Sequence, residues 1–119
     1  MAKTLSFTDT SPQTVKIGDT TTRFTLVCGN DNIATDLTNA TSITVKLGND
    51  GGYLKSATVD PASLTEPTTG QIVLALTADL MNGLTAGNYQ LEVWVVDSIG
   101  TSIYPSESTL QFQINNSLE

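Results

Sequence analysis

Apolar and polar residues alternate with a period of two in five separate segments of the chain. This alternation is typical of β-strands that bury one face. The five segments are residues 24–28, 43–47, 72–76, 89–95 and 110–114. Four shorter segments, residues 5–7, 14–17, 53–59 and 101–104, show the same tendency less completely. The pattern therefore predicts seven to nine short strands.

Residues that favour turns cluster between these segments, at positions 29–32, 49–52, 67–70, 82–83 and 99–100. Residues 49–52 are expected to form a hairpin turn, because Asp50-Gly51 readily supplies positive φ angles. A helical turn is predicted only at 78–82. Strands at this spacing predict an all-β fold, an Ig-like two-sheet antiparallel β-sandwich of seven to nine strands. Residues 1–117 are expected to form this single domain, and Leu118-Glu119 to be a vector-derived tail.

A local motif at the start of the longest alternating segment supports the Ig-like interpretation. Tyr89 follows a bend that contains Gly87 and begins the strand predicted at 89–95. In Ig-like sandwiches a tyrosine in this context forms a tyrosine corner, in which the ring packs in the core and the hydroxyl bonds to upstream backbone. The alternative is an ordinary core tyrosine.

The composition excludes several kinds of chemistry. The 119 residues include no His and one cysteine, Cys28, so a Ser-His-Asp triad, an imidazole metal ligand and an internal disulfide are all impossible. Cys28 lies in an alternating segment and is expected to be a small buried hydrophobe. Five Lys and Arg against 12 Asp and Glu give a net charge of −7. We therefore expect no binding to nucleic acid or to a membrane, whose phosphates this charge would repel.

Two clusters of side-chain oxygens are candidate calcium ligands: Asn30, Asp31, Asn32 and Asp36, and Asn49 with Asp50. Neither has the spacing of an EF-hand with its terminal bidentate glutamate. Turn formation accounts for both clusters, so we expect no metal and no cofactor. Since no pair of carboxylates lies among aromatic residues, as glycoside hydrolysis would favour, we also expect no enzymatic activity.

Two surfaces are candidates for contact with other proteins. Trp94 and Val96 have the opposite parity to Tyr89, so they are expected to face outward, with Val27 considered as a neighbour on an adjacent strand. An exposed tryptophan is typical of an interface; alternatively, Trp94 lies over Thr44 or Lys46 of its own sheet. The second candidate is an edge strand that contains Leu5 and Phe7, which either pairs with another chain or simply caps its own sheet.

The order of motifs along the chain resembles the N-terminal domain of phage baseplate upper proteins, found in tailed phages and prophages of Gram-positive bacteria. The matching segments are residues 23–27, 33–43, 69–74, 84–93, 103–106 and 110–114; they include Asp36-Leu37-Thr38, Thr69-Gly70, Ala86-Gly87-Asn88-Tyr89 and Tyr104-Pro105-Ser106. The resemblance implies a structural module of the virion, assembled in the bacterial cytoplasm. Such a module anchors a longer protein to the tail or baseplate core. The implied partners are other tail or baseplate proteins and, in the full-length protein, further copies of itself.

Two other functions are open at this point. One is a carbohydrate- or host-surface-binding module, which would need a cluster of exposed aromatic residues. The other is an Ig-like repeat of a bacterial cell-surface adhesin.

Overall fold

The computed structural model describes residues 3–8, 11–30, 33–49, 52–64, 66–105 and 109–116. Within them the elements are β1 (Lys3–Phe7), β2 (Thr14–Lys16), β3 (Arg23–Asn30), β4 (Ile33–Ala34), β5 (Ser42–Asn49), β6 (Gly52–Val59), β7 (Gln71–Ala75), α1 (Ala78–Met81), β8 (Gly87–Val96), β9 (Thr101–Tyr104) and β10 (Leu110–Asn115). Two 3-10 turns, Pro61–Ser63 and Pro67–Thr69, connect β6 to β7. All nine predicted strand segments are present, and the additional strand is the two-residue β4. The predicted boundary at residue 117 lies outside the described residues.

The strands form two sheets, which confirms the predicted Ig-like sandwich. In the four-stranded sheet β3 lies between β1 on one side and both β4 and β7 on the other. The six-stranded sheet has the order β2-β10-β8-β5-β6, and β9 pairs with β8 beside β10. Among the described residues β2 and β10 pair in parallel, whereas the other pairs are antiparallel as predicted. No helix in the described parts of the chain has the length and apolar character needed to cross a membrane.

The core is built from alternate side chains of the two sheets. Phe24, Leu26 and Cys28 of β3 are fully buried. They share the interior with buried residues of the facing sheet, among them Ile43, Val45, Leu47, Leu91, Val93 and Ile114. Burying each large aliphatic side chain stabilises the fold by roughly 1.5–3 kcal/mol relative to exposure. Burial of these alternating apolar side chains is therefore the principal source of the stability of the fold.

Four aromatic rings form a continuous chain through this core. Phe7 meets Phe24 edge-on with ring centroids 5.4 Å apart, and Phe24 meets Phe112 edge-on at 5.1 Å. Phe112 then stacks on Tyr89 at 5.7 Å. Because β1 and β3 belong to one sheet and β8 and β10 to the other, this series of ring contacts joins the two sheets.

Tyr89 is fixed at both of its ends. Its ring is 4% exposed, its hydroxyl donates to the backbone carbonyl of Thr85 at 2.6 Å, and it accepts from the N–H of the same residue at 3.1 Å. These are the backbone contacts expected of a tyrosine corner. The bend before it requires glycine, because Gly87 has a φ of 153°, which residues with side chains rarely adopt.

Replacing Tyr89 by phenylalanine should lower the free energy of unfolding by about 2 kcal/mol, because both backbone groups of Thr85 lose their half-buried partner. Urea unfolding followed by Trp94 fluorescence would measure the loss. The matched control is Tyr53→Phe, which removes a hydroxyl from a 64% exposed ring and should change stability by less than about 0.5 kcal/mol. Equal effects of the two substitutions would contradict a structural role for the Tyr89 hydroxyl.

Candidate functional site

The outward face of β8 carries an acidic, an aromatic and an aliphatic side chain. Glu92, Trp94 and Val96 are each half-buried and alternate with the buried residues of the same strand. In the register of the six-stranded sheet, Trp94 lies between Thr44 of β5 and Ile103 of β9. Trp94 therefore lies on the outer face, flanked by strands on both sides.

Trp94 is held by two polar contacts. The Lys46 Nζ lies 3.5 Å from the centroid of the Trp94 ring, and Trp94 Nε1 donates to Glu92 Oε1 at 3.2 Å. Lys46 and Glu92 are directly opposite each other on β5 and β8, where opposite charges stabilise a sheet. The structure contains the contact between Trp94 and Lys46 that was expected as the alternative, and the use of Trp94 at an interface stays a prediction. Val27, considered as its neighbour, lies on β3 of the other sheet and is remote from it.

A β-bulge adds a second aromatic ring to this face. The register between β5 and β6 shifts at Leu47/Gly48: Leu47 pairs with Lys55 but Gly48 pairs with Tyr53, so Leu54 is an extra residue. A bulge of this kind redirects the side chains next to it. Tyr53 is 64% exposed, and the Lys46 Nζ lies 5.8 Å from its ring centroid.

We call Lys46, Tyr53, Glu92 and Trp94 the Lys46 cluster. They line one groove of about 270 Å³, together with polar and small residues of the hairpin and of neighbouring strands, namely Gly48, Asn49, Gly52, Gln90 and Thr109. The groove combines an exposed ring with amide, carboxylate and hydroxyl groups. It can therefore both stack on a ligand and form hydrogen bonds with it. Sequence reasoning missed Tyr53, because strict alternation carries no signal of a bulge.

The residues of the second predicted interface, Leu5 and Phe7, lie largely inside the fold. Leu5 is 8% exposed, and Phe7 packs edge-on against Phe24. The Leu5 side chain is part of the core and is not exposed at the surface, and the interface assigned to this edge strand stays a prediction. β1 does lie at the edge of its sheet, where it pairs with β3.

Among the side-chain oxygens expected to serve turns rather than calcium, those of Asp36 do so in the structure, whereas Asn30 and Asn49 lie in strands β3 and β5. Asp36 accepts hydrogen bonds from the backbone and hydroxyl of Thr38, and these hold the pKa of its carboxyl below the ordinary value. Asp31, Asn32 and Asp50 lie outside the described residues. Within the described ranges no group of three or more Asp, Glu or Cys side chains is placed to hold a metal ion.

Cys28 is buried in the core between the sheets, as its alternating segment predicted. Burial raises the pKa of its thiol from 9.0 to about 12. Since the thiolate is the nucleophile, Cys28 is unreactive in the folded protein at neutral pH. It is a packing residue.

No protein-family model matches the sequence, and no curated protein matches it either. Among solved structures, the chain is similar to CopC from Methylosinus trichosporium OB3b, with a TM-score of 0.55 and 11% identity over 98% of this chain and 97% of that chain. It also matches an engineered protein with a TM-score of 0.46 and 11% identity, over 98% of this chain and 20% of that chain. The similarity to CopC agrees with a small all-β fold and concerns the fold alone.

A double-mutant cycle on Lys46→Met and Trp94→Leu should give a coupling energy of about 1 kcal/mol, the value typical of a partly exposed cation–π contact. Urea unfolding of the four proteins measures it. The matched cycle pairs Lys55→Met with Trp94→Leu; it should give a coupling near zero, because Lys55 bonds to backbone carbonyls near α1. Coupling of the same size in both cycles would show that the Lys46 contact is not specific.

Stability should fall as the pH rises from 9.0 toward about 12. Over this range the unfolded chain releases the Cys28 proton while the folded protein retains it, so the unfolded state gains stability. The contribution is up to about 1.4 kcal/mol per pH unit. Unfolding free energies of the parent and of Cys28→Ala across this range isolate the effect from other titrating groups. The parent's advantage in unfolding free energy over Cys28→Ala should decrease as the pH rises. An advantage that stays constant would contradict the raised pKa of Cys28.

Proposed function

We propose that this chain is a non-enzymatic structural module of a phage tail or baseplate. It anchors a longer protein to the tail core through protein–protein contacts. The observation that carries the proposal is the Lys46 cluster on the outer face of the six-stranded sheet, with Trp94 at its centre. Tryptophan anchors are enriched among the residues that dominate interface energies. The ordered resemblance to baseplate upper proteins supports the same assignment.

The organisation of the cluster suits a permanent contact. Trp94 has its ring covered by Lys46 and its N–H paired with Glu92, so the side chain is already ordered before a partner binds. Pre-ordering lowers the conformational entropy lost on association. A static assembly needs such a rigid surface and makes no demand for groups that exchange protons.

Virions purified from a phage that carries the parent gene should contain this protein. Virions from a phage whose gene encodes the Trp94→Ala variant should contain much less of it. Quantitative mass spectrometry of purified particles measures both amounts. The control is Ile33→Ala, because Ile33 is 74% exposed on the other sheet and its removal should leave incorporation unchanged. Absence of the wild-type protein from virions would overturn the proposal.

A second substitution separates docking from folding. Thr44→Lys places a long charged side chain beside Trp94 without removing any buried contact, so the domain should fold normally. Incorporation should fall as it does for Trp94→Ala, while the circular dichroism spectrum and urea midpoint stay near those of the parent. Normal incorporation of both variants would exclude this face as the anchoring surface.

The groove favours one alternative function, a carbohydrate- or host-surface-binding module. Tyr53 offers an exposed ring for stacking on a sugar, and Asn49, Gln90 and Glu92 supply hydrogen-bonding groups around it. This alternative predicts that the purified domain binds defined saccharides on a glycan array and that Tyr53→Ala abolishes the signal, with Leu54→Ala as the matched control. An array without specific signals would exclude it.

A further inference from the structure

β7 is an edge strand of the four-stranded sheet, and β6 of the other sheet contacts it without pairing with it. In constant-type Ig sandwiches the sheet order A-B-E-D places a further strand next to the one that corresponds to β7. Here the described residues between β6 and β7 form the 3-10 turns Pro61–Ser63 and Pro67–Thr69 instead. Proline has no backbone N–H and cannot contribute a donor to a ladder. Among the described residues, β7 therefore pairs with β3 alone.

The backbone of β7 presents hydrogen-bonding groups on the side that faces away from β3. Leu76 N donates to Thr22 O at 3.0 Å, and Cys28 N donates to Gly70 O at 2.8 Å. Because hydrogen-bonded pairs alternate along an antiparallel ladder, the even-numbered residues of β7 bond to β3. The N–H and C=O groups of Gln71, Val73 and Ala75 point away from β3, toward the open edge.

The neighbouring edge strand, β6, is protected in ways that β7 is not. β6 contains the bulge at Leu54, and its Lys55 donates to the carbonyls of Asp79 and Asn82 and so ties the strand to the α1 region. Bulges and charged residues on edge strands oppose pairing with other chains. β7 reads Gln-Ile-Val-Leu-Ala, with no charge, proline or register shift.

Two depressions flank this edge and give it a charge preference. They measure about 350 and 150 Å³ and share Val59, Ser63 and Val73 in their walls. Asp60 lines the larger and Glu66 the smaller, and no lysine or arginine among the described residues lines either. The carboxylates of Asp60 and Glu66 favour positive charge on a segment that approaches this side of β7.

We propose that β7 binds an extended, positively charged segment of a partner protein by strand addition. Main-chain hydrogen bonds to Gln71, Val73 and Ala75 supply the affinity, and the two acidic depressions supply the preference for lysine or arginine. A second copy of this chain is a poor occupant, because its net charge of −7 opposes close approach. The inference concerns the sheet opposite Trp94 and is independent of the proposed docking face.

A titration of the isotope-labelled domain with a short synthetic peptide of alternating valine and lysine tests the proposal. Amide signals of Val73 and Ala75 should shift, and their hydrogen exchange should slow. Val73→Pro removes an N–H that faces the open edge and leaves the β3 ladder intact, so it should weaken binding by roughly tenfold. Val73→Thr keeps the N–H and should bind as the parent does.

The charge preference is tested with a matched peptide in which glutamate replaces lysine. The parent should bind it at least several-fold more weakly, and Asp60→Asn combined with Glu66→Gln should abolish that difference. These two exposed substitutions keep the fold and keep a side-chain acceptor at Asp60, so they test the proposal even where the proline variant is unstable. Equal binding of both peptides, signals confined to other strands, or peptide-free self-association through the same amides would each overturn it.

Discussion

The register of β8 is the constraint on which the core and the proposed docking face both depend. This strand pairs with β5, β9 and β10, and its residues alternate between buried positions such as Leu91 and Val93 and outward positions such as Trp94. Since a one-residue slip exchanges the two faces of a strand, it would expose the apolar residues and bury Glu92 and Trp94. One register therefore determines both the packing and the outer chemistry.

The aromatic chain makes that register rigid. Tyr89 starts β8, with its hydroxyl fixed to Thr85 and its ring stacked on Phe112. Phe112 in turn contacts Phe24 of the opposite sheet. Edge-on and stacked aromatic pairs each add about 0.5–1.5 kcal/mol beyond the burial of their surface. A displacement of β8 would disturb the tyrosine corner, the contact between the sheets and the outer face together. The contacts that hold the core therefore also fix the outer face of β8.

Period-two alternation was enough to predict the nine principal strands, the two-sheet fold and the outward parity of Trp94. It was not enough for the details that depend on neighbouring strands. Tyr53 reaches the Lys46 cluster through a bulge, which is set by the pairing of β5 with β6 rather than by either segment alone. Leu5 was predicted at an interface because its polar flanks suggested an exposed edge, yet an edge strand still buries one face against the opposite sheet.

The two surfaces proposed for contact lie on opposite sheets, and this separation has an energetic consequence. Trp94 belongs to the outer face of the six-stranded sheet, whereas Val73 lies at the edge of the four-stranded sheet. The two surfaces therefore share no residues. In an assembly where both are engaged, the second contact forms at the high effective concentration set by the first. Two modest interfaces on one rigid domain then bind more tightly together than either does alone.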